Sequence, residues 1–166
     1  MSQISYPPRN TIVGLGCLPE SVRLSEVSKD IVKNALTGCR VLMVEDQLIN
    51  QMVLREILER VGVEVTTANN GREALTVMTC HANRFDLVLM DIHMPELDGY
   101  EATRILRQEW SADQLPIIAV TTDALKEDRQ HCLQVGMNDH LAKPVAQDQL
   151  YGCLLKWLKC DPCCAG

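Results

Sequence analysis

The sequence has no surplus of positive charge. Sixteen Lys and Arg stand against 22 Asp and Glu, giving a formal net charge of -6 and a pI near 5.2. That balance argues against a non-specific nucleic-acid binder, because nothing is left over to neutralise phosphates. Nor is there a long apolar run: the stretch from Ile12 to Leu18 is short and broken by glycine, with no basic segment before it. Neither a signal peptide nor membrane insertion is expected, and the setting implied is cytoplasmic. A second full domain does not fit either. With 166 residues, 46% of them apolar, the chain suits one domain with a proper core and a short extension.

Two further motifs are incomplete. Gly14 and Gly16 begin a G-x-G-x-x-G phosphate loop, but Pro19 stands at the third glycine and no helix start follows, which removes dinucleotide binding. The tail KCDPCCAG has a C-x-x-C step through Cys160 and Cys163, yet no second pair at zinc spacing exists elsewhere. Residues 160–166 therefore read as an oxidisable end rather than a metal site. In a reducing compartment all eight cysteines are thiols. Cys17, Cys39, Cys80, Cys132 and Cys153 sit in apolar patterns, as small buried residues do.

What is present is a repeat of strand and helix. RVLMV (40–44), VEVTT (63–67), DLVLM (86–90), PIIAV (116–120) and HLA (140–142) are short apolar or β-branched runs, each followed by a helical pattern. The first, third and fourth are continuously apolar, as strands covered on both faces of a parallel sheet are. In the last helix Leu150, Cys153, Leu154, Trp157 and Leu158 make an inward stripe. In the first helix after residue 40, Ile49, Met52, Val53, Ile57 and Val61 make another, with Gly62 placed to end it. Both stripes are expected to be core.

An open parallel sheet binds its ligand beyond the carboxyl ends of its strands. The first strand runs into Glu45 and Asp46, the third into Asp91, the fourth into Thr121 and Thr122, and the fifth into Lys143 and Pro144. Any one of these could be loop polarity or a helix cap. Together they match the needs of phosphoryl transfer to a carboxylate. Nucleophile and phosphoryl group are both anionic, so their approach requires positive charge. Glu45 and Asp46 could help to hold Mg²⁺, a hard cation that takes oxygen ligands. Lys143 and Thr121 could contact phosphoryl oxygens.

VEDQLIN, LMDIHMPELDG, PIIAVTTDA and GMNDHLAKP, taken together, resemble the receiver domain of two-component signalling over about residues 39–159. The wording of VEDQLIN is most like the receivers attached to hybrid histidine kinases. The resemblance implies a flavodoxin-like (βα)5 doubly wound α/β fold with strand order 2-1-3-4-5. It implies Asp91 as phosphoacceptor and Glu45, Asp46, Asp91 and the main-chain carbonyl of His93 as Mg²⁺ ligands. Thr121 and Lys143 would be the phosphate contacts, with a cis bond before Pro144. The implied partner is a histidine kinase or histidine phosphotransfer protein, with a homodimer as a further candidate. The chain would be a signalling domain rather than an enzyme, one whose surface changes on phosphorylation.

Two positions depart from the family. His140 stands where an aromatic Tyr or Phe is usual, and a packed histidine at this rim leaves the usual coupling to the threonine in question. Thr122 replaces a commonly smaller residue, and its bulk is expected to hinder the attacking water and lengthen the phosphoryl lifetime. Two other classes share part of this pattern. An unphosphorylated docking module of the same fold would not need the complete acid, hydroxyl and lysine set. A haloacid dehalogenase-type phosphatase wants a second Asp where this chain has His93.

Residues 1–38 read as an extension. Residues 25–36 are expected to form a helix with Val27, Ile31, Val32 and Ala35 on one side, stopped by Gly38. Leu18, Val22, Val27, Ile31 and Val32 align at one constant offset with Leu141, Val145, Leu150, Leu154 and Leu155. The segment is thus either a linker helix packed on the domain or on a neighbour, or the remnant of an upstream receiver, with Glu20 in place of the lysine. No output domain is visible, so the chain is expected to act on a separate partner or to be part of a longer protein.

Overall fold

The computed structural model describes residues 29–80, 85–122 and 126–158. Helix α1 (Lys29–Leu36) precedes β1 (Arg40–Val44), α2 (Leu48–Glu59), β2 (Glu64–Ala68), α3 (Gly71–Cys80) and β3 (Leu87–Asp91). These are followed by α4 (Gly99–Leu106), β4 (Ile117–Thr121), α5 (Lys126–Gln134), β5 (Asp139–Ala142) and α6 (Gln147–Trp157). All strand pairs are parallel and the order is β2-β1-β3-β4-β5.

The two faces of the sheet are divided by the alternation of side chains along a strand. Val41, Met43, Leu87 and Leu89 point to one side, where they meet Leu54 and Leu58 of α2 and Leu150 and Leu154 of α6. Leu42, Val44, Val88 and Met90 point to the other, against Ala74 of α3, Ala102 and Leu106 of α4 and Cys132 of α5. Central strands β3 and β4 are buried at every residue, whereas edge strand β2 alternates. Helix α2 ends where the chain reverses at Gly62, with φ of +80°, a conformation glycine adopts without a Cβ penalty.

Helix α1 joins the first of these cores through Val32 and Leu36, next to α6. Ile31, assigned to the same inward side, is 38% exposed. Residues 1–28, with Val27, Glu20 and Cys17, lie outside the described residues, as does the tail with Cys160, Cys163 and Cys164. Cys132 and Cys153 are buried thiols as expected, while Cys39 is half-buried. Cys80 corrects the expectation: at the C-terminal end of α3 it is exposed.

The stripe proposed for α2 is also corrected. Ile49, Met52 and Val53 are 76%, 63% and 51% exposed, and the residues turned inward are Gln51, Leu54 and Leu58. The buried side lies roughly 140° round the helix from the expected one, at about 100° per residue. Leu54 and Leu58 enter the apolar core on this side, and Gln51 joins them because it has hydrogen-bond partners inside the domain. Val61, just past the helix, is buried as expected.

Candidate functional site

The carboxyl ends of β1, β3, β4 and β5 form one rim. Asp91 and Thr121 are themselves the last residues of β3 and β4, so their backbones are held in the ladder: Asp91 is in register with Val120, and Thr121 with Ala142. Glu45 follows β1 and donates its N–H to the Ala68 carbonyl at 3.0 Å. Lys143 follows β5 and donates its N–H to the Thr121 carbonyl at 2.8 Å, and the Lys143–Pro144 bond is cis. Four side chains distant in sequence are thereby placed by four rigid strands.

Asp91, Glu45 and Thr121 are 4%, 1% and 2% exposed. The Lys143 Nζ lies 2.7 Å from Glu45 Oε2 and 3.1 Å from Asp91 Oδ2, bridging two buried acids. Glu45, Asp46 and Asp91 can each offer a carboxylate oxygen, all within 4.8 Å of one another, and Asp46 is the exposed member. This is the one such cluster of metal-ligating side chains among the described residues. Hard oxygen donors with one face open to water suit a divalent cation that keeps part of its hydration, as Mg²⁺ does.

The electrostatics follow from three acids sharing one ammonium. Burial pushes Asp91 up to about 6; the Lys143 hydrogen bond pulls the other way but is outweighed, since Glu45 and Asp46 add repulsion. Burial also opposes charge on Glu45, yet hydrogen bonds from Lys143 and the Gln47 N–H hold its carboxyl below the usual value. Lys143 is raised: desolvation works against its charge, and contacts with Glu45 and Asp91 prevail. Asp91 is thus the group whose charge is least supported.

A pH dependence follows. Asp91 holds its proton more tightly in the folded chain (about 6) than in the unfolded one (3.8). Its contribution to stability is therefore present below 3.8 and lost as pH rises through about 6. A metal ion requires the ionised form. Mg²⁺ affinity measured by calorimetry is expected to be flat above pH 7 and to weaken roughly tenfold per unit below about pH 6.

The other expected site residues lie around this centre. His93 is exposed, two residues beyond Asp91, in the loop that Asp98 ends by capping α4: its Oδ1 accepts the Glu101 N–H at 2.8 Å. At the start of α4 a Cβ on Gly99 would come within 2.3 Å of the Asp91 carbonyl oxygen, so the helix can begin this close to the strand end only with glycine there. Thr122 is exposed just past Thr121. His140, half-buried on β5, has its Nδ1 3.8 Å from Asp139 Oδ1.

Two features escaped the sequence reading. One is Gln51, 8% exposed, whose Nε2 donates to the Glu45 carbonyl at 2.5 Å and to Asn69 Oδ1 at 2.9 Å. The other is the bare outer face of α2, where Leu48, Ile49, Met52 and Val53 are each more than half exposed. A signal for the second existed: apolar residues at 48, 49, 52, 53, 54, 57 and 58 are too many for one face of a twelve-residue helix.

Comparison with known proteins agrees with this geometry. The chain matches the response regulator receiver domain over residues 41–154. It is 38% identical over 122 residues to the sensor histidine kinase GacS of Pseudomonas protegens, covering 71% of this chain and 13% of that protein. With the sensor histidine kinase RcsC of Escherichia coli it shares 43% identity over 144 residues, or 81% of this chain and 15% of the relative. It therefore spans only about an eighth to a seventh of the length of these curated relatives. Among solved structures it resembles the receiver domain of the sensor histidine kinase PA1611 from Pseudomonas aeruginosa, which has a magnesium ion coordinated in its active-site cleft. That match has 41% identity and a TM-score of 0.65, covering 75% of this chain and all of that one. The receiver domain of Saccharomyces cerevisiae Ssk1, solved with the histidine phosphotransfer protein Ypd1, matches at 30% identity and a TM-score of 0.66, over 74% and 90% of the two chains.

The chain belongs to the receiver domain family of two-component systems. Its fold is the flavodoxin-like one expected, and no helix among the described residues is long and apolar enough to cross a membrane.

Proposed function

We propose that the domain accepts a phosphoryl group on Asp91 from a phosphohistidine of a histidine kinase or histidine phosphotransfer protein. The observation that carries this reading is the placement of the Lys143 ammonium between the buried carboxylates of Asp91 and Glu45, at the rim where Asp46 is also within reach. A carboxylate oxygen of Asp91 forms the new P–O bond as the P–N bond to the partner's imidazole breaks, and the electron pair leaves with the ring nitrogen. Lys143 turns from the carboxylates to a phosphoryl oxygen, and the Thr121 hydroxyl donates to another. Mg²⁺ held by Glu45, Asp46, Asp91 and the His93 carbonyl would supply the charge that lets two anions meet. The PA1611 receiver, with its magnesium ion, supports that assignment.

The apolar face of α2 supports the choice of partner. Leu48 stands two residues after Asp46, so the exposed face adjoins the acidic cluster. An unpartnered apolar helix face at the mouth of a phosphoryl site suits a helical partner that presents its histidine within an apolar surround. The Ssk1 receiver, solved with a phosphotransfer protein, is a relative of this chain.

The test has two arms. Incubated with Mg²⁺ and acetyl phosphate, wild type is expected to gain one phosphate by intact mass, and Asp91→Asn none. Uptake in the variant equal to wild type would reject Asp91 as acceptor, and no uptake in either would favour a docking module that is never phosphorylated. In the second arm, Ile49→Lys combined with Met52→Lys is expected to leave the acetyl phosphate reaction intact. Transfer from a phosphohistidine partner should slow at least tenfold, because two charges would have to be desolvated in the contact.

A further inference from the structure

We infer that Gln51 is a positioning residue that fixes the acidic arm of the metal site through the backbone of Glu45. This rests on the proposed Mg²⁺ site. The observations are a buried polar side chain where packing alone would favour a leucine, and the identity of the group it holds. Gln51 lies on the inner face of α2 with Leu54 and Leu58. Its Nε2 donates to the main-chain carbonyl of Glu45 and to the Asn69 amide oxygen.

From Asn69 the network continues. Its backbone N–H and Nδ2 both donate to Glu73 Oε2, at 2.7 and 2.8 Å, while the Glu73 N–H donates to Asn70 Oδ1 at 2.8 Å. The first turn of α3 is thereby tied to the loop that bears Glu45 and Asp46. Glu45 itself is held at four points: its N–H by the Ala68 carbonyl at 3.0 Å, its carbonyl by Gln51, its Oε1 by the Gln47 N–H at 3.1 Å and its Oε2 by Lys143.

Three of those four holds remain when Lys143 turns to another partner, and Gln51 supplies the one that reaches the Glu45 carbonyl from α2. This is the physical role of the amide: it is the side-chain hold on the loop's main chain just beyond β1 that is independent of the lysine, and the lysine must let go for the site to work. Burying an amide is costly unless it is hydrogen-bonded, and on this otherwise apolar inner face both Nε2 bonds go to the loops at the strand ends, which points to the loop it fixes rather than to packing. Partners that orient metal ligands from outside the coordination sphere commonly change metal affinity by 10- to 100-fold when removed.

The experiment measures Mg²⁺ dissociation constants by isothermal titration calorimetry on the full chain, beside thermal midpoints in EDTA. Gln51→Met keeps length and volume and removes the donors. It is expected to hold its EDTA midpoint near the wild-type value while binding Mg²⁺ about tenfold more weakly. Asn69→Ala, which loosens the amide from outside, is expected to weaken binding about threefold, a part of that loss. A lowered midpoint with Mg²⁺ affinity within twofold of wild type would make Gln51 merely structural and overturn the inference. Should Gln51→Met not fold, Asn69→Ala decides it: unchanged affinity overturns it and a threefold loss supports it. Wild type that binds no Mg²⁺ overturns both this inference and the site reading beneath it.

Discussion

Lys143→Met is expected to lose about 3 kcal/mol of stability when Mg²⁺ is withheld, and to regain most of it when Mg²⁺ is supplied. The reasoning starts from burial. Glu45 and Asp91 are almost wholly out of water, and the lysine that joins them is 14% exposed at its side chain. Removing one member of a buried ionic group leaves the others uncompensated, which is far more costly than losing a surface pair. A divalent ion placed among the same carboxylates would offset the same repulsion. The variant should therefore bind Mg²⁺ at least tenfold more tightly than wild type, because the ion no longer competes with an ammonium for Glu45.

Phosphoryl uptake should move the other way. With one of its two side-chain donors to the transferring group gone, the rate from acetyl phosphate is expected to fall by roughly 10²- to 10³-fold, as when one donor is removed from a preorganised anion site. Urea unfolding with EDTA and with saturating Mg²⁺, together with calorimetry and intact mass, separates the three effects. Equal destabilisation with and without Mg²⁺ would show that Lys143 and the metal do not serve the same carboxylates.

The strands were easy to read in the sequence because each is a short apolar run between turn residues, and their ends drifted for identifiable reasons. β3 begins at Leu87 rather than Asp86, whose carboxylate instead accepts the Arg40 N–H at 2.8 Å. β4 begins at Ile117 rather than Pro116, which has no N–H to give the ladder. Both of these strands end one residue later than expected, and Asp91 and Thr121 belong to the ladder. The convergence of acids, threonine and lysine was legible because a parallel sheet aligns its carboxyl ends by construction. The rotation of α2 was not. The inward face of the helix carries Gln51 beside Leu54 and Leu58, and the partners of Gln51, the Glu45 carbonyl and Asn69, are acceptors that no pattern within the helix encodes.

The same limit applies to the residue whose loss should damage the fold most. Arg107, the last-turn cap of α4, donates from Nε to the Gly136 carbonyl at 2.8 Å and from Nη1 to the Leu115 carbonyl at 2.9 Å. Nη1 is also 3.3 Å from the carbonyls of Trp110 and Ser111, and Nη2 donates to Asn138 Oδ1 at 2.9 Å. Among these partners there is no carboxylate; a guanidinium fork is spread across neutral carbonyls from the loop that leads into β4 and the turn that leads into β5. Asn138 extends the bracing: its Oδ1 also accepts the Ile117 N–H at 3.0 Å, and its Nδ2 donates to the Ala112 carbonyl at 3.0 Å. One side chain thus ties the starts of the two strands whose far ends carry Thr121 and Lys143.

Arg107→Ala is expected to lower the free energy of unfolding by about 3 kcal/mol or more, since hydrogen bonds from a charged donor contribute about 1.5–3 kcal/mol and the abandoned carbonyls are partly buried. Arg107→Lys should recover little of that, because a compact ammonium cannot span acceptors arranged for a planar fork. Arg104, one turn earlier, is the control: its pair with Glu101 is exposed, and Arg104→Ala should cost less than about 1 kcal/mol. Urea midpoints of the three variants decide the matter. A loss below about 1 kcal/mol for Arg107→Ala would mean that water replaces the guanidinium at those carbonyls, and that the sheet alone sets the spacing between the ends of β4 and β5.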